Sequence, residues 1–273
     1  MTTETTDAEP GDRRCSRLRP VLLLATILLL AGAATASAAP NPAANIGTGP
    51  LPRACISAPK GPICIDGIVA ALDRARARLG FGPYVLPKDF DSLPGGEQLM
   101  ILGNLDRLAY GLPVINGLSP ALNVVSAAGV TNDGDPDPSA LLSGLSRYGW
   151  SSNWAGGFAN APEAYYAWMY YDGWGGTQTS NLDCTSPTAS GCWGHRQDVL
   201  AFSDQGVLSM GAAVSRDAHG QIGYAMTLVW TPVSSNWTSF SYTWTQAQKD
   251  GAGAAHAENS ATRRPQIAVA RIS

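Results

Sequence analysis

The chain of 273 residues carries three histidines, His195, His219 and His256, and five cysteines. An imidazole titrates near physiological pH and can donate or accept a proton there, so the histidines are the first candidates for acid–base chemistry. No two of them are four residues apart, which excludes a zinc-protease helix of the H-E-x-x-H type. The patterns G-x-S-x-G, G-x-x-x-x-G-K-[ST] and G-x-G-x-x-G are also absent, which removes the signature-based grounds for a hydrolase, a P-loop NTPase or a dinucleotide enzyme. Cys15 stands apart, and Cys55, Cys64, Cys184 and Cys192 form two pairs close in sequence. Four cysteines allow three pairings; the short loops Cys55–Cys64 and Cys184–Cys192 are the expected disulfides. Neither pair has the C-x(2–4)-C spacing of a thiolate zinc site.

Asp133-Gly134-Asp135-Pro136-Asp137 places carboxylates at alternate positions, as a calcium loop does. Pro138 stands where such a loop needs glycine and Gly144 where it needs glutamate, so the segment reads as a solvated acidic turn. Trp150, Trp154, Trp168, Tyr170, Trp174 and Trp193 bring large rings together in one region. Packing between helix and sheet is their first explanation, and a glycan or lipid groove the second. Asn236-Trp237-Thr238 is a glycosylation sequon, read as unused.

These residues need elements to hold them. Hydrophobic residues make up 45% of the chain and charged residues 14%, which suits a packed core rather than a disordered chain. The net charge of -3 gives no electrostatic footprint for nucleic acid. Arg13, Arg14, Arg17 and Arg19 precede an apolar run from Val21 to Leu30, and Ala36-Ser37-Ala38 fits a small-x-small cleavage site. Residues 1–38 therefore read as a signal peptide cleaved near Ala38, which implies a secreted, extracellular protein in an oxidising compartment. A membrane partner is expected only if that segment stays uncleaved. Residues 39–60 read as a proline-rich linker and 61–96 as a helix, Ile63 to Leu79, followed by a loop.

The main domain is expected over 97–245. It holds a helix from Glu97 to Tyr110 ended by Gly111, and a second from Ala121 to Ala128 started by Ser119-Pro120 and closed by Gly129. A third helix runs from Ala164 to Tyr171, behind Asn160 and Glu163 as cap residues. Val207–Ser215, Ile222–Trp230 and Ser239–Thr245 read as strands, with Asp217–Gly220 as a hairpin turn. Residues 246–273 read as a flexible tail. Helices followed by an antiparallel meander predict an α+β fold or a layered sandwich.

Several blocks have a familiar order. Asn104-Leu105-Asp106-Arg107 stands ahead of Gly111-Leu112-Pro113. Ser152-Asn153-Trp154-Ala155-Gly156-Gly157 follows, then Trp168-Met169 and Gly194-His195-Arg196-Gln197-Asp198-Val199-Leu200, then Val207 to Gly211. Over about 97–245 this resembles the bacterial branch of the CAP superfamily, the cysteine-rich secretory, antigen 5 and pathogenesis-related 1 proteins (SCP domains). The resemblance implies a three-layer α-β-α sandwich with a central antiparallel sheet and a cleft bearing two histidines and two acids. His195 matches one cleft histidine. Ser152 stands where the family has a glutamate, no histidine occurs within Leu122 to Trp150, and Asp172 is a stand-in for the second acid. Without its partners, His195 reads first as a structural residue at a helix start and second as a cleft group.

A cleft reduced in this way implies a secreted, non-enzymatic binding module for an unidentified lipid, glycan or protein ligand. The rival is a secreted hydrolase of peptide or cell-wall substrates using His195, with Asp172 and Ser152 as the other candidate cleft residues. No cofactor is expected, and no metal, because His195 and Asp172 fall short of the three or four ligands zinc takes.

Overall fold

Apolar spacing and end residues place the helices. The computed structural model describes residues 40–47, 53–175, 181–234 and 239–253. A single turn, α1 (Ala54–Ser57), leads into α2 (Pro62–Arg78), where proline stands at the first helical position. The inner face of α2 buries Cys64, Ile65, Ile68, Leu72 and Ala75. A 3-10 turn at Phe90–Ser92 precedes α3 (Gly95–Ala109), and α4 spans Pro120–Thr131. Gly129 does not end α4 as expected. It sits inside the helix because Pro136 and the Gly134 carbonyl occupy the space a Cβ would need, at 2.8 and 2.9 Å.

After a short α5 (Ser139–Leu142), α6 (Ala161–Tyr170) begins earlier than its apolar pattern suggested. Asn160 Oδ1 accepts from the Glu163 N–H at 3.1 Å, and Glu163 Oε2 accepts from the Ala159 N–H at 2.6 Å, so the first turn is capped from both sides. α7 (Gly194–Val199) and α8 (Trp244–Lys249) complete the helices among the described residues.

The strands are β1 (Gly117–Leu118), β2 (Gly149–Gly156), β3 (Val207–Arg216), β4 (Ile222–Thr231) and β5 (Tyr242–Thr243), ordered β2-β4-β3-β1-β5. Helices and a five-stranded sheet make the fold α+β. The sheet is mixed rather than antiparallel throughout: β1 runs parallel to β3, and the other neighbours are antiparallel. Asn116 secures this addition, with its N–H on the Leu208 carbonyl at 2.7 Å and its Oδ1 on the Leu208 N–H at 2.8 Å.

Adjacent residues of β3 meet helices on opposite sides. Gly211 lies against the Leu122 backbone of α4, leaving no room for a side chain. Ala212 faces α3, where its Cβ would be 3.0 Å from a Cβ on Gly96. Two apolar clusters result. The larger joins α2, α3 and α6 to Met210, Tyr224, Met226 and Leu228, and the smaller gathers Leu122, Leu142 and Val229.

Three expectations change. Residues 45–46 are pinned rather than extended: the Ile46 N–H donates to the Tyr170 carbonyl at 2.8 Å, and Asn45 Oδ1 accepts from the Gly173 N–H at 2.7 Å. The strand expected at 239–245 shrinks to two residues, because Thr243 and Gln246 form a capping box that starts α8 where a tail was expected. Residues 61–96 are not a separate appendage, since α2 shares the main core. The disulfides Cys55–Cys64 and Cys184–Cys192 are both present. The signal segment, the sequon at Asn236 and the chain beyond 253 lie outside the described residues. Among the described residues no helix is long and apolar enough to cross a membrane.

Candidate functional site

Beyond the edge strand β2 lies a cleft of about 550 Å³, walled by Trp154, Phe158, Trp168 and Leu182 and carrying Asp135, Asp172, Asp183 and His195. Two polar bonds hold α7 against β2. Ser151 Oγ donates to the Asp198 carbonyl at 2.9 Å, and Asn153 Nδ2 donates to the His195 carbonyl at 2.8 Å. With the α7 backbone fixed, the His195 ring is turned to the cleft, 29% exposed.

Asp172, just past the end of α6, is buried and surrounded by donors. His195 Nδ1 lies 2.6 Å from its Oδ1, Asn181 Nδ2 donates to the same oxygen at 2.7 Å, and the Arg196 N–H donates to Oδ2 at 3.3 Å. A ring that gives its Nδ1 proton to Asp172 keeps Nε2 as the nitrogen available to a ligand. His195 is thus a cleft group held by a carboxylate, and the helix-start role is played by its neighbours. Arg196 is the buried one. Its Nη1 donates to the Met169 carbonyl at 2.7 Å and its Nη2 to Tyr110 Oη.

The structure separates the three sequence candidates. His195 and Asp172 come together. Ser152 does not line the cleft: it pairs across the ladder with Thr227, whose hydroxyl lies 2.9 Å from Ser126 Oγ on α4, while its neighbours Ser151 and Asn153 reach α7. The alternation of a strand sends Ser152 to the other face. Three acids were missed, and one of them, Asp183, stands exposed on the rim of the cleft. Asp135, read as part of a solvated turn, is exposed as that reading expects, yet it lines the cleft and lies near enough to the Trp154 N–H and to His195 for both to favour its charged form. Asp198, inside the G-H-R-Q-D-V-L block, stands close enough to Asp135, Asp172 and His195 to feel their charge. Its position three residues after His195, one helical turn on, was the available signal. Asp133 and Asp137 go elsewhere: Asp133 Oδ2 meets the exposed His219 at 3.2 Å, and Asp137 Oδ1 accepts from the Ser139 N–H at 2.8 Å. His256 lies outside the described residues.

The acids and the imidazole bias one another. Burial opposes the charged form of His195, but the Asp172 hydrogen bond and the charges of Asp172, Asp135 and Asp198 outweigh it and raise its pKa. Burial raises Asp135, against the lowering by His195 and the Trp154 N–H. Burial and the Asp135 charge push Asp198 up to about 7. A carboxyl with a raised folded-state pKa weakens the fold as pH climbs from its unfolded value to its folded one. Asp198→Asn is therefore expected to stabilise the protein by an amount that grows between about pH 4 and pH 7 and levels off above, as read from melting temperatures across that range. A constant difference would show that Asp198 does not titrate in this window.

The aromatic set divides as well. Trp154 and Trp168 line the cleft, Tyr170 turns into the core, Trp150 and Trp174 stay partly exposed, and Trp193 packs its ring where a side chain on Gly173 would sit. Trp193 adopts a left-handed backbone, φ +66°, immediately before α7, a costly conformation for a bulky residue. Among the described residues no group of three or more His, Cys, Asp or Glu is arranged to hold a metal ion. No family model, no curated protein and no solved structure matches this chain at significance.

Proposed function

We propose that the protein is a secreted, CAP-like binding module that takes a glycan in the cleft beside β2, without cleaving it. The observation that carries this reading is the composition of the cleft. The half-buried ring of Trp154, with the fully buried Trp168 packed in the wall behind, stands beside hydrogen-bonding groups of Asp135, Asp172, Asn181, Asp183 and His195. Aromatic faces stack on the C–H surface of a sugar ring while carboxylates accept from its hydroxyls. The CAP resemblance draws further support from the fold, since α3 and α4 meet opposite faces of the sheet, as an α-β-α sandwich requires. Two disulfides suit an oxidising, extracellular compartment.

The hydrolase reading has one observation in its favour, the carboxylate-held imidazole of His195. A covalent route needs a nucleophile within reach of that ring. No serine, threonine or cysteine is among the described residues that line the cleft. His195 would have to activate water instead. The test is a titration of the mature protein with neutral and amino-bearing oligosaccharides, followed by tryptophan fluorescence, with mass spectrometry of the sugar afterwards. A saturable change with the sugar intact is expected. No response would overturn the glycan reading. Fragments that vanish in His195→Gln would replace binding with hydrolysis.

A further inference from the structure

The cleft has a charge that a neutral sugar does not use. Asp135, Asp172 and Asp183 all line it, and no lysine or arginine does among the described residues. The sequence is depleted in cations over the same region. Of 18 basic residues only Arg147 falls between positions 108 and 195, against six acids, Asp133, Asp135, Asp137, Glu163, Asp172 and Asp183. Arg147 is directed elsewhere, with its guanidinium 5.3 Å from the Trp230 ring centre. His195 is the one cationic group of the cleft, and Asp172 already engages it.

The half-buried Trp154 ring adds to this bias, because the negative face of an indole attracts an ammonium group. The arrangement therefore supplies acceptors and a π-face to a cation, and its single cation of the protein's own, His195, is already matched by Asp172. Like charges crowded at Asp135 and Asp198 are relieved when a cation arrives, so binding would also draw protons off these carboxyls.

We infer that the cleft selects ligands bearing a primary ammonium group, an amino sugar with its amine uncapped or a lysine-type side chain. This rests on the reading of the cleft as a binding site and specifies its ligand. Asp183 and Asp135 are the groups assigned to the ammonium. The aromatic walls take the apolar surface beside it.

The experiment is calorimetry of the mature protein with three probes: hexaglucosamine, its fully N-acetylated counterpart and trilysine. It is run at about pH 6, below the titration range of α-amino-type amines. The two sugars share one backbone and differ in charge. Hexaglucosamine is expected to bind at least about tenfold tighter than the acetylated sugar, with proton release detected by comparing two buffers. Asp183→Asn removes the charge of an exposed rim residue while keeping an oxygen acceptor, and is expected to remove most of that preference by weakening hexaglucosamine far more than the acetylated sugar. Asp135→Asn should act in the same direction.

Equal binding of the two sugars would overturn the ammonium inference and leave the glycan reading standing. Trilysine binding with neither sugar would uphold the ammonium inference and move its source to a peptide. Binding of none of the three would overturn both. A preference that survives in both aspartate variants would overturn the assignment of those residues.

Discussion

Asp106→Ala is expected to lower the melting temperature by about 10 °C, corresponding to a loss of roughly 3–5 kcal/mol. Asp106 lies on α3 and is fully buried. Four side chains converge on its carboxylate. Arg76 of α2 donates from Nη1, Tyr84 donates at 2.6 Å, Tyr165 of α6 at 2.6 Å and Tyr170 of α6 at 2.9 Å. Burial opposes the charge on Arg76, and Asp106 outweighs that penalty and raises its pKa. Burial raises all three phenols, with the Asp106 charge adding to it, so they remain neutral donors. Removing the carboxylate leaves a buried guanidinium without its counter-ion and three hydroxyls without their shared acceptor, which costs more than any one bond supplied. Asp106→Asn keeps one acceptor and should lose about half as much. Circular dichroism melts of both variants check this. A loss for Asp106→Ala below about 1 kcal/mol would mean the network is solvated in solution.

The second large effect belongs to the next residue. Arg107 turns the other way and donates to four backbone carbonyls: Pro113 at 2.7 Å, Val199 at 2.9 Å, Ala201 at 2.6 Å and Phe202 at 2.8 Å. Burial lowers its pKa to about 10, so it stays cationic at neutral pH. One side chain thereby joins the loop after α3 to the chain leaving α7. Arg107→Met fills the volume but leaves carbonyls buried without a donor, and a loss of about 4 kcal/mol in denaturant titration is expected. Arg107→Lys should recover only part, because an ammonium cannot reach the same fan of acceptors. Full recovery by lysine would show that charge, not the guanidinium's geometry, is what matters there. Since Val199 closes the helix that carries His195, Arg107→Met should also weaken ligand binding more than a surface change of equal cost.

Much of this fold was legible because its signals are local. Asn160 and Glu163 announce a helix start three residues apart, and a capping interaction spans that distance. The hairpin at Asp217–Gly220 joins two strands through a turn closed by the Gly220 N–H on the Asp217 carbonyl at 3.0 Å. What could not be read depends on contacts between distant segments. The parallel pairing of β1 with β3 joins residues about ninety positions apart. Gly129 looked like a helix end because its role is set by Pro136 across a turn.

The site follows the same division. His195 was visible in its block, and Asp172 was found beside it despite the intervening excursion. Asp135 was hidden because a carboxylate in an acidic turn carries no local sign that it will reach β2. Ser152 was misplaced by one residue of strand alternation, since Ser151 and Asn153 are the neighbours that reach α7. The Asn104 and Arg107 positions, read as a family signature, hold backbone. Asn104 bonds both the N–H and the carbonyl of Ile115, at 2.6 and 3.0 Å.

The excursion between Asp172 and Trp193 has a neck. The Trp193 N–H donates to the Asp172 carbonyl at 2.9 Å, and the Trp193 ring closes over Gly173. Higher up, Cys184–Cys192 fastens the segment to itself, and Asn181 ties it back to Asp172 and the Gly191 carbonyl. The His195–Asp172 pair belongs to α6, α7 and that neck, whereas Leu182 and Asp183 on the cleft rim belong to the segment above it. The imidazole and its carboxylate are therefore anchored at the neck, while the segment above reaches back with Asn181 to the carboxylate and forward with Asp183 to the rim. A change in the length of that segment would reshape the doorway and, through Asn181, the hold on the carboxylate behind it.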